Sequence, residues 1–160
     1  MARRWMPLGF LLAGLLTACL GNRVFNQYQQ IPIAGWERND TLTFCIPPVK
    51  TDGLYSIDLG LRTTGDYPFK GLTLIVEHQV MGSGAHGSLS KIPVDTLSCS
   101  LIDNRGRAKG NGVNYLQSEF HVTTLSLHEG DSLRINIRHD MKREILPGLS
   151  DLGIDFRLLK

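Results

Sequence analysis

Two hydrophobic patterns divide the chain. Trp5 to Leu16 is almost continuously apolar, whereas from residue 41 onward apolar and polar residues alternate. Successive side chains of a strand point to opposite faces, so a period of two predicts half-buried strands. Thr41 to Ile46 is the first such run, closed by Pro47 and Pro48. Leu54 to Arg62 follows, with Tyr55, Ile57, Leu59 and Leu61 sharing one face. Leu72 to Val80 turns Leu72, Leu74, Val76 and Val80 inward, with His78 on the same side. Ile92 to Ile102 reads as one long run or as two strands kinked near Asp95. Leu133 to Arg138 and Leu152 to Leu158 alternate cleanly, and Tyr115 to Leu127 is a less regular strand. Turn residues separate the runs at Thr51-Asp52-Gly53, Gly65-Asp66-Tyr67-Pro68, Asn104-Arg105-Gly106 and Glu129-Gly130-Asp131.

Helical spacing is nowhere sustained for three turns. Two short segments suit a helix. Arg23 to Ile31 reads as one or two turns or as an extended leader, and Asp140 to Leu146 as a short piece ended by Pro147-Gly148. Seven or eight strands without crossover helices predict an all-β fold, an antiparallel β-sandwich of immunoglobulin-like or jelly-roll-like type. A closed barrel is the alternative.

The early apolar run has another meaning. Arg3 and Arg4 precede it, and its length of about a dozen residues suits an export signal, being too short to span a bilayer. Thr17 and Ala18 are small, and Cys19 follows at once. The order reads as a lipoprotein signal peptide, residues 1–18, cut before Cys19, whose thiol accepts the acyl group. An anchor and leader segment, 19–35, then leads to a single sandwich domain, 36–160. Several acyl chains hold a protein at a bilayer stably, where a single chain does so only marginally. Leu20-Gly21-Asn22-Arg23 has no aspartate directly after the cysteine and no acidic run. That points to an outer-membrane anchor facing the periplasm.

Loss of the signal also changes the charge. The chain has 17 basic and 15 acidic residues. Removing Arg3 and Arg4 leaves 17 − 2 = 15 of each sign, a formal charge of zero. The mature domain thus lacks the basic excess that nucleic-acid or polybasic membrane binding draws on. Cys45 alternates with Phe44 and Ile46 and faces out with Thr43, while Cys99 shares the inward parity of Leu97 and Leu101. Cysteines on opposite faces do not pair readily, so two separate thiols are expected.

The search for chemistry finds no catalytic set. Gly82-Ser83-Gly84 lacks the spacing of a nucleophile elbow, and Gly106 to Gly112 lacks the Gly-Lys-Ser/Thr ending of a phosphate loop. The histidines are scattered, with no ligand-spaced pair, so neither a metal nor another cofactor is expected. His78 reads as a hydrogen-bonded histidine at the core edge, and His86 as a solvated residue of the loop Met81 to Ser90. Asp151 and Asp155 face outward with Arg157, about 13 Å apart along a strand, too far to act as a pair. Arg105, Arg107 and Lys109 form a small basic loop that reads as a solvated turn. Three aromatics are candidate partner contacts: Trp36, Tyr67 and Phe69. Each has a packing role to set against it, Trp36 as a cap on the core and the pair around Pro68 as a staple at a corner.

The order of several motifs resembles a known family. After the Cys19 site come Asn22-Arg23-Val24-Phe25, Tyr28, Gly35-Trp36 and a strand rich in Thr and Phe. Asp66-Tyr67-Pro68-Phe69 then leads into Leu74-Ile75-Val76. His139-Asp140-Met141-Lys142-Arg143, Leu146-Pro147-Gly148 and Ser150-Asp151-Leu152-Gly153-Ile154 complete the pattern. Together they resemble the GldH family of gliding-motility lipoproteins over nearly the whole mature chain. The resemblance implies a non-enzymatic envelope lipoprotein of the gliding apparatus, whose core overlaps the type IX secretion system. Its implied partners are the membrane, through Cys19, and envelope proteins of that machinery. Only Cys19 carries over as a defined site. The loop Met81 to Ser90 is longer than the pattern, and Cys45 and Cys99 lie outside it. Family members also occur in bacteria that do not glide. A lipid-anchored module that binds glycan or peptide is the second reading.

Overall fold

The computed structural model describes residues 22–82 and 92–160. The main strands are β1 (Arg23–Gln30), β3 (Leu42–Ile46), β4 (Gly53–Thr63), β5 (Gly71–Met81), β6 (Val94–Ser100), β7 (Leu116–Leu127), β8 (Ser132–His139) and β10 (Leu149–Leu158). Two short strands, β2 (Trp36–Glu37) and β9 (Ile145–Leu146), pair only with each other. No helix occurs among the described residues.

The strands form two antiparallel four-stranded sheets, β1-β10-β4-β7 and β3-β8-β5-β6. Apart from the β5–β6 hairpin, the chain changes sheet at each main connection. That is the order of an eight-stranded jelly roll, one of the two sandwich types expected. It is not a closed barrel, since no ladder among the described residues joins β1 to β3 or β6 to β7.

The alternation in the sequence places the core. Ile57, Leu59, Leu61, Ile154 and Phe156 from one sheet meet Phe44, Leu74, Val76, Ile135 and Ile137 from the other, all nearly inaccessible to water. Burying each such side chain stabilises the fold by about 1.5–3 kcal/mol. Tyr55 stacks on Phe156 with ring centroids 4.9 Å apart, and its hydroxyl donates to the Thr51 carbonyl at 2.7 Å. The irregular feel of the Tyr115 to Leu127 segment has a cause: the β4–β7 register slips between Ile57 and Asp58, a β-bulge.

Three expectations are corrected. Arg23 to Gln30 is neither helix nor free leader but an edge strand on β10. It buries little, so its sequence is rich in Asn and Gln and hides the period of two. Asp140 to Leu146 is not helical; it bends and then supplies β9, whose Leu146 sits opposite Trp36. Val80 has inward parity but lies at the open end of β5 and is 41% exposed. Of the two readings of Ile92 to Ile102 the single strand holds: β6 runs unbroken through Asp95 to Ser100.

Candidate functional site

Cys19, His86 and Ser83 lie outside the described residues, so the site is built from the sandwich itself. Two regions gather its chemistry-bearing side chains: the end of the sandwich where β1 finishes, and the outer face of the β1-β10-β4-β7 sheet.

At the first region the three expected aromatics differ in access. Trp36 is 1% exposed, so its ring is a core group and not a surface contact. Its indole N–H donates to the Asp40 carbonyl at 3.1 Å, and its ring meets His139 edge-on at 5.4 Å. The Met141 N–H donates to His139 Nδ1 at 3.4 Å, which makes Nε2–H the donor to the Trp36 carbonyl at 3.2 Å. Burial first, opposed by the Trp36 hydrogen bond, lowers the His139 pKa and keeps the ring neutral. Tyr67 and Phe69 are half-buried and meet edge-on at 5.5 Å. The Tyr67 hydroxyl donates to the Gly71 carbonyl at 3.0 Å, and burial pushes its pKa up. Gly148 has φ +78° and lies against the Tyr67 backbone, where a side chain would not fit. The pair therefore staples the β4–β5 corner to the turn before β10. Beside it lies a groove of about 490 Å³ lined by Ile31, Pro32, Ile33, Asp66, Tyr115 and Leu149. Ile33 is fully exposed and Tyr115 49% exposed at its rim.

The second region was not legible as a site. Gly60 and Gly153 sit opposite each other in mid-strand, and the Tyr28 ring lies across both. A Cβ at Gly153 would stand 2.6 Å from Tyr28 Cγ, so the glycines are what let the ring lie flat. The Arg62 guanidinium caps the ring 4.1 Å from its centroid. Next along β10, Asp155 is 7% exposed. Arg23 grips it through two hydrogen bonds of 3.0 and 2.7 Å, and Arg157 through Nε at 3.0 Å and Nη2. Burial opposes the charge on Asp155, but the hydrogen bonds from Arg157 and Arg23 outweigh it and hold the carboxyl below its ordinary value. Asp155 is thus outward by parity, as expected, yet not solvated.

Across the sheet, Asp58 Oδ1 lies 2.9 Å from His121 Nδ1, and the Ser56 hydroxyl donates to Asp58 Oδ2 at 2.9 Å. Ser56 Oγ is also 3.3 Å from the same His121 nitrogen. A serine nucleophile needs its hydroxyl on one ring nitrogen and the carboxylate on the other. Here both meet Nδ1, and Nε2 has only Thr124 Oγ1 at 3.4 Å. The cluster orders side chains on an open sheet and lacks the geometry of a charge-paired nucleophile. The one clue in the sequence was a pair of mid-strand glycines at outward positions, which mark a close approach by another group.

Elsewhere His78 is 4% exposed at the core edge, but the hydrogen bond expected of its ring is missing at Nδ1, which stands 3.5 Å from Asp95 Oδ2 with neither atom bonded. Burial lowers its pKa against the pull of Asp95. Cys45 is exposed, Cys99 is buried and both are free, as the parity argument required. Burial pushes the Cys99 thiol up to about 12, which leaves it unreactive. The basic loop is tied down by Asp103, which accepts from the Arg105 and Arg107 amides and pairs with the Arg107 side chain at 3.0 Å. Among the described residues no three His, Cys, Asp or Glu side chains converge as a metal site.

Among known proteins the chain is similar to a gliding motility lipoprotein GldH of Flavobacterium johnsoniae, 25% identical over 150 residues and 89% of each chain. It is also similar to a gliding motility lipoprotein GldH homolog of Christiangramia forsetii, 21% identical over 155 residues, 91% of this chain and 89% of that one. Among solved structures, a family GH115 4-O-methyl-alpha-glucuronidase aligns with a TM-score of 0.44 and 16% identity, over 86% of this chain and 18% of that one. The model of the family described as GldH lipoprotein matches residues 23–156, from the start of β1 into β10. The chain belongs to the GldH lipoprotein family.

Proposed function

We propose that this chain is a non-enzymatic accessory protein of a gliding-motility or type IX secretion assembly. Acyl chains on Cys19 hold it at the outer membrane, facing the periplasm, where it supports assembly or stability of the machinery. The observation that carries the reading is the family match across residues 23–156, together with the name of the Flavobacterium johnsoniae relative as a gliding motility lipoprotein. The geometry supports it in one respect. The polar side chains of the sheet face are engaged with one another and so form a fixed surface to meet a partner. The partners are the membrane and envelope proteins of the complex; a mature chain of zero formal charge has no call on nucleic acid. Deletion of the gene in a gliding, secreting host is the test. Loss of spreading and of cargo export is expected, and a deletion strain normal in both would sink the reading.

The second reading, recognition of peptide or glycan, rests on the groove where Ile33 and Tyr115 stand exposed beside Pro32 and Leu149. Arrays of glycans and peptides probed with the lipoprotein would support it if specific binding were lost in Tyr115→Ala.

A further inference from the structure

The two ends of the sandwich differ in what they expose. β1 begins at Arg23 beside the end of β10, and the β10 register places the start of β4 there too. The end of β7 is level with Gly53 of β4. In the other sheet Met81 is level with Ser132, and the Val49 and Gly130 backbones bond across the same end. This is the pole at which the chain arrives from Cys19.

Five of the large apolar residues that stand exposed lie at this pole. Val24, Leu54 and Leu159 are 42%, 44% and 49% exposed on one sheet, and Val80 and Met81 are 41% and 38% exposed on the other. Leu159 is bonded through its amide to the Leu54 carbonyl at 2.7 Å, so these two neighbour each other. Exposed apolar residues gathered on one surface mark a contact with protein or membrane. The tether says which. Arg23 is four residues from Cys19, a reach of at most about 14 Å even when fully extended. The end of a four-stranded sandwich is itself about 15 Å by 10 Å. With such a tether the pole cannot stand clear of a bilayer that holds the acyl chains. The charged residues there, Arg23, Lys50 and Lys160 against Asp52, Glu129 and Asp131, are of both signs, so attraction to anionic headgroups is not what would hold it.

We propose that this pole is a membrane-contacting surface. Val24, Leu54 and Leu159 from one sheet and Val80 and Met81 from the other enter the interfacial region of the bilayer that carries the Cys19 lipid. The proposal rests on the acylation of Cys19 put forward above. The acyl chains supply the affinity; the apolar rim supplies orientation. It stands the sandwich upright, with the Ile33, Val113 and Tyr115 end directed away from the membrane. Contact at two sheets fixes tilt in a way that one flexible tether does not.

The test uses the full-length lipoprotein, expressed with its signal, purified in its processed form and reconstituted in phosphatidylethanolamine and phosphatidylglycerol vesicles with brominated acyl chains. Trp36, buried at the far end, gives a constant background. Leu54→Trp and Met81→Trp report the tethered pole, and Val113→Trp, at a fully exposed site, reports the other end. Apolar groups at an interface sit about 5–10 Å deep, so quenching of the first two is expected to exceed that of Val113→Trp by about twofold or more. Because the contact is apolar, the difference persists in about 1 M salt. Equal quenching at both ends in a protein of acylated mass overturns the surface and leaves the anchor standing. An unmodified Cys19 in the mass spectrum of the processed protein overturns the anchor and the surface with it.

Discussion

The outer faces of the two sheets follow the same alternation and are held in different ways. On β3-β8-β5-β6 the outward residues make ordinary exposed pairs, such as Arg138 with Glu77 at 2.7 Å and Thr43 with Asn136 at 2.9 Å. On β1-β10-β4-β7 the outward face is partly sealed. Tyr28 covers Gly60 and Gly153, and Asp155 is enclosed by two arginines. The difference follows from the neighbours. β10 and β4 are the inner strands of their sheet, and β1 carries a tyrosine and an arginine long enough to lie over them. A charge removed from water in this way is held more firmly than one at the surface, and is more costly to disturb.

The largest expected effect tests the covered glycine. Gly153→Val forces Tyr28 off the sheet and is expected to cost about 3 kcal/mol, read as a fall in the denaturant midpoint. Asn136→Val, on the other sheet, should cost less than about 1 kcal/mol. Equal losses would remove the distinction between the faces. Next comes Asp155→Asn. Arg23 and Arg157 keep 53% and 38% of their side-chain exposure and can rehydrate, so the loss should be about 1–2 kcal/mol and not the full cost of a buried orphaned charge.

Acid unfolding sharpens the same point. The Asp155 carboxyl is held below its ordinary value in the fold, so at low pH the unfolded chain binds more protons at this site. Its contribution is complete above the unfolded aspartate value of about 3.9 and is lost as pH falls through the lower folded value. Between pH 4 and pH 2, Asp155→Asn is therefore expected to lose stability less steeply than the parent. A parallel decline in the two proteins would show that the arginine pairs add nothing. The smallest effect belongs to the exposed pair: Glu77→Gln should change stability by less than about 0.5 kcal/mol, within the scatter of surface substitutions. A loss as large as that of Asp155→Asn would erase the contrast from the other side.

How far the sequence could be read depended on how much each segment buries. β4 and β5 bury a full face and announce it: Ile57, Leu59, Leu61, Leu72, Leu74 and Val76 all lie where parity places them. β1 buries Phe25 only in part and carries Asn26, Gln27, Gln29 and Gln30 around Tyr28, so its pairing with β10 was invisible until the partner strand was known. The aromatics divided on the same ground. Trp36 was legible as a core cap or a contact, and only its place in the short β2–β9 ribbon, opposite Leu146, decides for the core. The Asp58, Ser56 and His121 cluster joins residues up to 65 positions apart, a separation that no local pattern can report.

By itself the sequence determined the strand periodicity, the opposite facing of Cys45 and Cys99, and the signal with its Cys19 site as an expectation. Each of these is local: a period, a parity or a run of neighbouring residues suffices to state it. The tertiary structure alone decided the jelly-roll order, the enclosure of Asp155, the covering of two glycines by Tyr28, and the gathering of apolar residues at the tethered pole. All of these depend on which strand lies beside which. Strand order follows from long-range closure of the core, and residues far apart in the chain acquire their environment only when that closure is complete.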